Sequence, residues 1–211
     1  ETPSNPILRL TDIKAVTDTA KQCGALVAAD NTFLSPALQN PIKFGADIVV
    51  HSTTKYINGH SDVVGGAVIA ATAELGEELA WWANNIGITG APFDSYLTLR
   101  GLRTLNVRLR QHQESALAIA QYLERSQFVA QVYYPGLESH PQHALAKAQQ
   151  LGFGAMVSFD IKGDINDAAA FLTRLNEFSL AESLGGVESL ICHPATMTHA
   201  GMDATARAEA G

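Results

Sequence analysis

No apolar run in this sequence is long enough to span a bilayer, and the chain does not open on a leader-like segment. Those two absences make a soluble, cytoplasmic protein with no membrane partner the expectation. Cysteine is scarce. Cys23 and Cys192 are the only two, too few for a disulfide framework. Basic residues are outnumbered, 14 Lys and Arg against 21 Asp and Glu, and no basic cluster offsets the net charge of −7. That balance argues against a nucleic-acid partner. Cys192-His193 and His199 stand close together, but no second Cys/His pair has ligand spacing, so no metal is expected. There is no internal repeat and no low-complexity tract. An initiator Met is also missing. The chain opens on Glu1-Thr2-Pro3 and stops on Ala210-Gly211 in a helix-like stretch, so a piece cut from a longer chain is expected.

What is present is globular: 46% hydrophobic and 17% charged residues. Glu1–Pro6 reads as a loop with two prolines. Ile13, Val16, Ala20 and Cys23 fall on one face of a helix, with Thr11 as its expected N-cap and Gly24 just past its end. Apolar runs at Ala25–Ala29, Ile48–Val50 and Ala67–Ala71 have strand length, and Glu74–Asn85 reads as a helix. Strand, helix and strand with short connections predict an α/β architecture around a mostly parallel sheet. The character changes near Thr104. Val107–Arg125 reads as a long helix and Phe128–Tyr134 as a strand. Met156–Lys162 alternates like a half-buried antiparallel strand, and Ala168, Phe171, Leu172 and Leu175 mark another amphipathic helix. We expect residues 1–106 to belong to a larger α/β domain and residues 107–211 to a smaller α+β domain.

The chemistry gathers in Ala25–Lys55. Two apolar runs there end in polar groups, Asp30 after the first and His51-Ser52 after the second. In an open parallel sheet the ligand crevice lies beyond the carboxyl ends of the strands. Ser52 and Thr54 hydroxyls with nearby backbone N–H groups suit a phosphate. A lysine in a partly dehydrated pocket, as Lys55 is expected to be, has a lowered pKa and forms Schiff bases. An aspartate ending a buried strand needs a cation, and a protonated pyridine nitrogen is one. Together these describe a pyridoxal phosphate site. Several other polar groups read more plainly. His140 and His143 around Pro141 look like a surface turn, and Trp81-Trp82 looks like core or a subunit interface.

The chain resembles the trans-sulfuration family of pyridoxal-phosphate enzymes. The likeness rests on ETPSNP at Glu1–Pro6, DNTF at Asp30–Phe33 and HSTTKYINGHSD at His51–Asp62. LRGLRTL at Leu99–Leu105 and SLGGVESLICHPATMTHAGM at Ser183–Met202 extend it over essentially the whole chain. The resemblance implies a fold-type I transferase, with part of its large domain here followed by its small domain. It implies Lys55 as the lysine that binds pyridoxal 5'-phosphate covalently and Asp30 as the partner of the ring nitrogen. Ser52 and Thr54 would bind the phosphate. Asn5 would lie near the cofactor and the substrate carboxylate, Ser183 beside Lys55 and the substrate, and Glu182 near the distal amino group of a cystathionine-sized ligand.

The implied reaction is γ-replacement on O-succinylhomoserine by cysteine, giving cystathionine and succinate, with Lys55 moving the Cα and Cβ protons. A γ-lyase or another γ-replacing enzyme is the alternative within the family. A homotetramer built of dimers with shared active sites is also implied. The family's ring-stacking tyrosine, phosphate-capping turn and carboxylate-clamping arginine have no counterpart here. Residues Glu1–Gly211 alone are therefore expected to bind cofactor weakly and not to turn over, which makes a non-catalytic, fold-retaining fragment the reading of another class. A third reading comes from S-x-x-K at Ser52–Lys55, the spacing of serine acyl-transferases. No KTG follows, Ser52 ends a strand pattern, and Asp30 would have no role, so this reading is set aside.

Overall fold

A computed structural model of the chain describes residues 1–203 and 205–207. The helix-like stretch read at Ala210-Gly211 lies outside the described residues. Helix α1 spans Ile13–Gln22 and is capped by Asp12, whose carboxylate accepts from the Ala15 N–H, and not by Thr11. Asp12 wins because it directly precedes the first helical turn, where an acceptor meets the unpaired amides. Its buried stripe is Ile13 and Thr17, with Val16 and Cys23 turned outward. The Thr17 hydroxyl donates to the Phe44 carbonyl at 2.7 Å, which ties α1 to the short 3₁₀ turn Pro41–Phe44. Gly24 follows α1 at φ +66°, the left-handed conformation that lets the chain leave a helix sharply.

Strand β1 is Ala28–Asp30, three residues shorter at its start than its apolar run, and it includes the aspartate. Strand β2, Ile48–Ser52, lies parallel to it, with Ala28 opposite Ile48 and Asp30 opposite Val50. Between them lie α2, Ser35–Leu38, and the 3₁₀ turn. Strand β3, Gly66–Ala70, completes a three-stranded sheet in the order β1-β2-β3, but it runs antiparallel to β2. The connector explains why this strand departs from the parallel direction. A parallel return needs a long crossover, usually through a helix. Here the Thr53 N–H donates to the Gly65 carbonyl at 2.9 Å, pinching the 53–65 loop shut so that the chain turns back on itself.

Helix α3, Ala73–Ile86, is capped by Thr72 and leans on β3. Trp81 and Trp82 on α3 are 57% and 50% exposed, so they are not core. Helix α4, Pro92–Leu102, has no clear sequence signal, because its apolar Phe93, Tyr96 and Leu99 face outward and a glycine interrupts it. Helix α5, Leu105–Glu124, is 20 residues long, about 30 Å, and serves two clusters. Leu105 and Leu109 pack with Leu34, Leu38 and Tyr56; Ala116 and Ala120 pack with Tyr134 and Leu137.

Strands β4, Val129–Tyr133, and β5, Ser158–Ile161, form an antiparallel pair beside the second half of α5. Helix α6, His143–Gln149, starts where a plain turn was expected, and His140 before it is 7% exposed. Burial of His140 is offset by polar contacts on both sides: its Nδ1 accepts from the Gln142 N–H at 3.1 Å, and the ring also hydrogen-bonds the Leu8 backbone. Helix α7, Ile165–Leu172, carries a capping box built from Asp164 and Asp167. Strands β6, Ser179–Leu180, and β7, Leu190–Ile191, pair in parallel at the base of a loop. Among the described residues no helix is long and apolar enough to cross a membrane.

A buried amide network fixes the end of β1. Gln39 donates to Asn31 Oδ1 at 3.0 Å and to the Thr2 carbonyl at 2.9 Å, and accepts from Gln149 at 3.3 Å. Asn31 in turn donates to the Gln39 carbonyl at 2.8 Å. Pairing almost every polar group makes such a network rigid. It ties the N-terminal segment, the turn after β1 and α6 into one support beneath the strand ends.

Candidate active site

Parallel pairing brings the carboxyl ends of β1 and β2 side by side. Successive strand residues face opposite ways, so Asp30, Val50 and Ser52 share one face while Ala29, Val49 and His51 share the other. The inner set is buried. Asp30 and Ser52 therefore stand together on the more open face, at the sheet end where ligands bind in α/β folds.

Asp30 accepts the Thr32 N–H through Oδ1 at 2.8 Å, a local turn that fixes the carboxylate's direction. Its Oδ2 takes no hydrogen bond among the described residues. The Thr32 hydroxyl accepts from the Ser52 N–H at 2.8 Å and so joins the two strand ends. His51 lies 2% exposed beneath them. Burial pulls its pKa below 6.5, while Asp30 and the Asn31 backbone pull the other way, and its Nδ1 has no partner.

Lys55 follows three residues after Ser52. Its Nζ donates to Ser183 Oγ at 2.9 Å, across 128 positions of sequence. The Thr54 hydroxyl accepts from the Gly65 N–H at 3.0 Å and reaches the Gly65 carbonyl at 3.3 Å, closing the loop beside Lys55. Tyr56 is 2% exposed beneath the lysine, and burial, with Tyr134 adding to it, holds its hydroxyl un-ionised. Arg108 supports the loop from α5. Its Nε donates to Thr104 Oγ1 at 3.1 Å and its Nη2 to the Gly101 carbonyl at 2.9 Å. Gly59 leaves room for the guanidinium: a Cβ at 59 would stand 2.0 Å from Nη1.

Ser183, at φ +82°, lies in the loop between β6 and β7, next to exposed Glu182. Glu182 neighbours Cys192, whose thiol pKa is raised by burial and further by that carboxylate. Asn5 is exposed, and its backbone N–H donates to Glu1. The segment carrying Asn5 reaches the site through Thr2, whose N–H donates to the Asp30 carbonyl at 3.4 Å. The fold thus joins Lys55 to Ser183 and sets Asp30 and Ser52 on one sheet face. No hydrogen bond or ion pair ties Glu182 or Asn5 to Lys55 or Asp30 among the described residues. Thr32, Ser61, Arg108 and Glu188 also shape the site and escape sequence reading. For Thr32 the Asp-x-Thr spacing was an available signal; for Arg108 it was the run of arginines around Gly101.

This donor set fits pyridoxal phosphate. A single amine stands at a strand end with a carboxylate whose second oxygen is uncommitted and a serine hydroxyl on the same face. The pairing of aspartate and serine at parallel strand ends answers a ligand that is cationic at one end and anionic at the other. The fit is least direct at Thr54, whose hydroxyl would exchange its contact with the Gly65 carbonyl for a phosphate oxygen.

Comparison with known proteins agrees. The family described as Cys/Met metabolism PLP-dependent enzyme matches residues 1–211. Cystathionine gamma-synthase of Escherichia coli (strain K12) is 58% identical over 211 residues, covering 100% of this chain and 55% of that protein. Cystathionine gamma-lyase of Dictyostelium discoideum is 53% identical over the same length, covering 54% of that protein. The crystal structure of cystathionine gamma synthase from Xanthomonas oryzae pv. oryzae, in complex with aminoacrylate and cysteine, superposes with a TM-score of 0.97. It is 65% identical, over 100% of this chain and 54% of that one. The chain thus spans about half the length of the relatives it matches. Its α/β fold is that of the fold-type I pyridoxal-phosphate enzymes. The chain belongs to the pyridoxal-phosphate-dependent enzymes of cysteine and methionine metabolism.

Proposed function

We propose that this chain carries the catalytic lysine of an enzyme that replaces the γ-substituent of an O-acylhomoserine with cysteine. O-succinylhomoserine and L-cysteine would give L-cystathionine and succinate. The observation that carries the reading is the Lys55–Ser183 hydrogen bond of 2.9 Å beside the paired ends of β1 and β2.

Pyridoxal phosphate, when bound, supplies the electron sink that makes the substrate Cα–H and Cβ–H acidic. Lys55 holds it covalently through Nζ. With its Nζ free, Lys55 would take the Cα proton, hand it on to the electron sink that the cofactor would supply, and then take the Cβ proton, since one flexible amine reaches both carbons. Ser183 accepts the lysine N–H and so aims the Nζ lone pair. Asp30 would pair with the ring nitrogen. Ser52 and Thr54 bind the phosphate through their hydroxyls. Asn5 helps to hold the substrate carboxylate, and Glu182 holds the far amino group of cystathionine. The Cβ–H electron pair becomes a Cβ–Cγ double bond as succinate leaves Cγ with its C–O electron pair; cysteine thiolate then adds at Cγ, and Lys55 returns protons to Cβ and Cα.

A γ-lyase is the second reading, favoured by the 53% identity to a relative of that name. Both readings use Lys55 in the same way. The experiment is a cystathionine-forming assay on the protein carrying this chain, with O-succinylhomoserine and cysteine, alongside a cystathionine-cleaving assay. We expect synthesis to exceed cleavage in kcat/KM and Lys55→Ala to abolish both. Dominant cleavage would establish the lyase, and turnover retained in Lys55→Ala would overturn the site.

A further inference from the structure

The loop Ala181–Ser189 is closed at its base, where the Ala181 N–H donates to the Ile191 carbonyl at 3.0 Å and the Ser179 N–H to that of Ser189 at 2.9 Å. Its tip leans on the lysine loop in three ways. Leu184 packs against the cluster of Leu34, Leu38 and Tyr56. Gly185, at φ +82°, lies so close to the lysine backbone that a Cβ would stand 2.5 Å from the Tyr56 nitrogen and 2.7 Å from the Lys55 carbonyl carbon. Ser183 accepts from Lys55.

The returning limb has its own attachment, outside the donor set described above. Ser61 Oγ donates to Glu188 Oε2 at 2.9 Å, across 127 positions of sequence. Gly186 makes room for it: a Cβ there would stand 2.2 Å from Glu188 Oε2 and 2.6 Å from Ser61 Oγ. Ser61 sits at φ +57°, a region costly for a serine. Its neighbour Asp62 accepts from Asn58 Nδ2 at 2.7 Å, so the turn that presents the hydroxyl is itself braced.

We infer that the Ser61–Glu188 hydrogen bond is a latch that holds the Ser183 loop in register with the lysine loop. Ser61 and Glu188 are positioning residues, acting through Ser183 on Lys55. Burying Leu184 draws the loop down, but apolar contact has no direction and leaves it free to slide. A hydrogen bond has direction. Anchored at 188 and at its base, the limb holds Ser183 over the amine. Without the latch, one side of the loop has only the two-residue ladder to hold it. This inference rests on the reading of Lys55 as the catalytic lysine.

The test uses Ser61→Ala, Glu188→Ala, the double variant and Glu188→Gln, in the protein carrying this chain. The first readout is amide hydrogen exchange over 181–189 without added cofactor, which needs no activity. The second is kcat and KM. Ser61→Ala and Glu188→Ala should each speed exchange in this segment about threefold to tenfold, the scale of one hydrogen bond. Each should lower kcat by a similar factor while cofactor affinity changes little. The double variant should be no worse than either single change, because both remove the same bond. Glu188→Gln keeps an acceptor oxygen and should restore exchange to near the parent rate. Unchanged exchange in this segment, or effects that multiply in the double variant, would overturn the latch. If Lys55→Ala keeps turnover, the functional reading fails, yet the exchange result still decides whether the latch exists.

Discussion

At the scale of single residues the site is a matter of charge placed at strand ends. Asp30 serves a cationic ring through its charge, and the hydrogen bond from the Thr32 N–H fixes the direction of its carboxylate. Asp30→Asn keeps the shape and removes the charge. We expect the fold to persist and kcat to fall by roughly tenfold or more, the scale of losing a charge-assisted contact of about 1.5–3 kcal/mol. Single-turnover exchange of the substrate Cα–H measures this step alone, and an unchanged rate would remove Asp30 from the ring nitrogen. The placement of Asp30 and Ser52 at paired strand ends, with Lys55 just beyond, was legible in the sequence because each closes or follows an apolar run. Ser61 and Glu188 were not. Each looks like an ordinary polar surface residue, and their link spans 127 positions.

At the scale of elements, the lysine loop is held between α4, α5 and the β6–β7 loop. Gly101 of α4 presses closely on it: a Cβ there would stand 2.1 Å from the Asn58 carbonyl oxygen. That atom belongs to the backbone, so the loop itself would have to yield. Gly101→Ala should destabilise the chain by about 1–3 kcal/mol, the usual cost of overpacking, although alanine is the better helix former. Urea unfolding checks this, and a stabilised variant would show that α4 does not press on the loop. The strands β1 and β2 and the long helix α5 were readable from apolar runs and helical spacing. The direction of β3 was not, because it depends on the Thr53–Gly65 backbone hydrogen bond. Helix α4 hid because its large apolar residues face outward and Gly101 interrupts its pattern. Trp81 and Trp82 lie outside the core, one of the two places their apolar character suggested, since apolar character alone does not say which surface covers a side chain.

At the scale of the whole molecule, histidines set the response to pH. Burial lowers the pKa of His51, His112 and His140 below the usual 6.5, with Arg108 adding to the effect at His112 and His143 at His140. Below pH 6.5 the unfolded chain takes up protons that the folded chain refuses. Stability should therefore fall as the pH drops from about 6.5 and keep falling until each folded-state pKa is passed. Urea midpoints at about pH 7.5 and pH 5.5 test this, and equal midpoints would mean that these rings titrate freely in the folded chain. The claim on which the rest depends is that Lys55 carries the cofactor. The direct measurement is to add pyridoxal phosphate, reduce with borohydride, digest, and locate the pyridoxyl group by mass spectrometry. Covalent trapping makes weak binding readable. The account predicts one dominant adduct, on Lys55, which disappears in Lys55→Ala. Adducts scattered over other lysines, at the same level with and without Lys55, would contradict it.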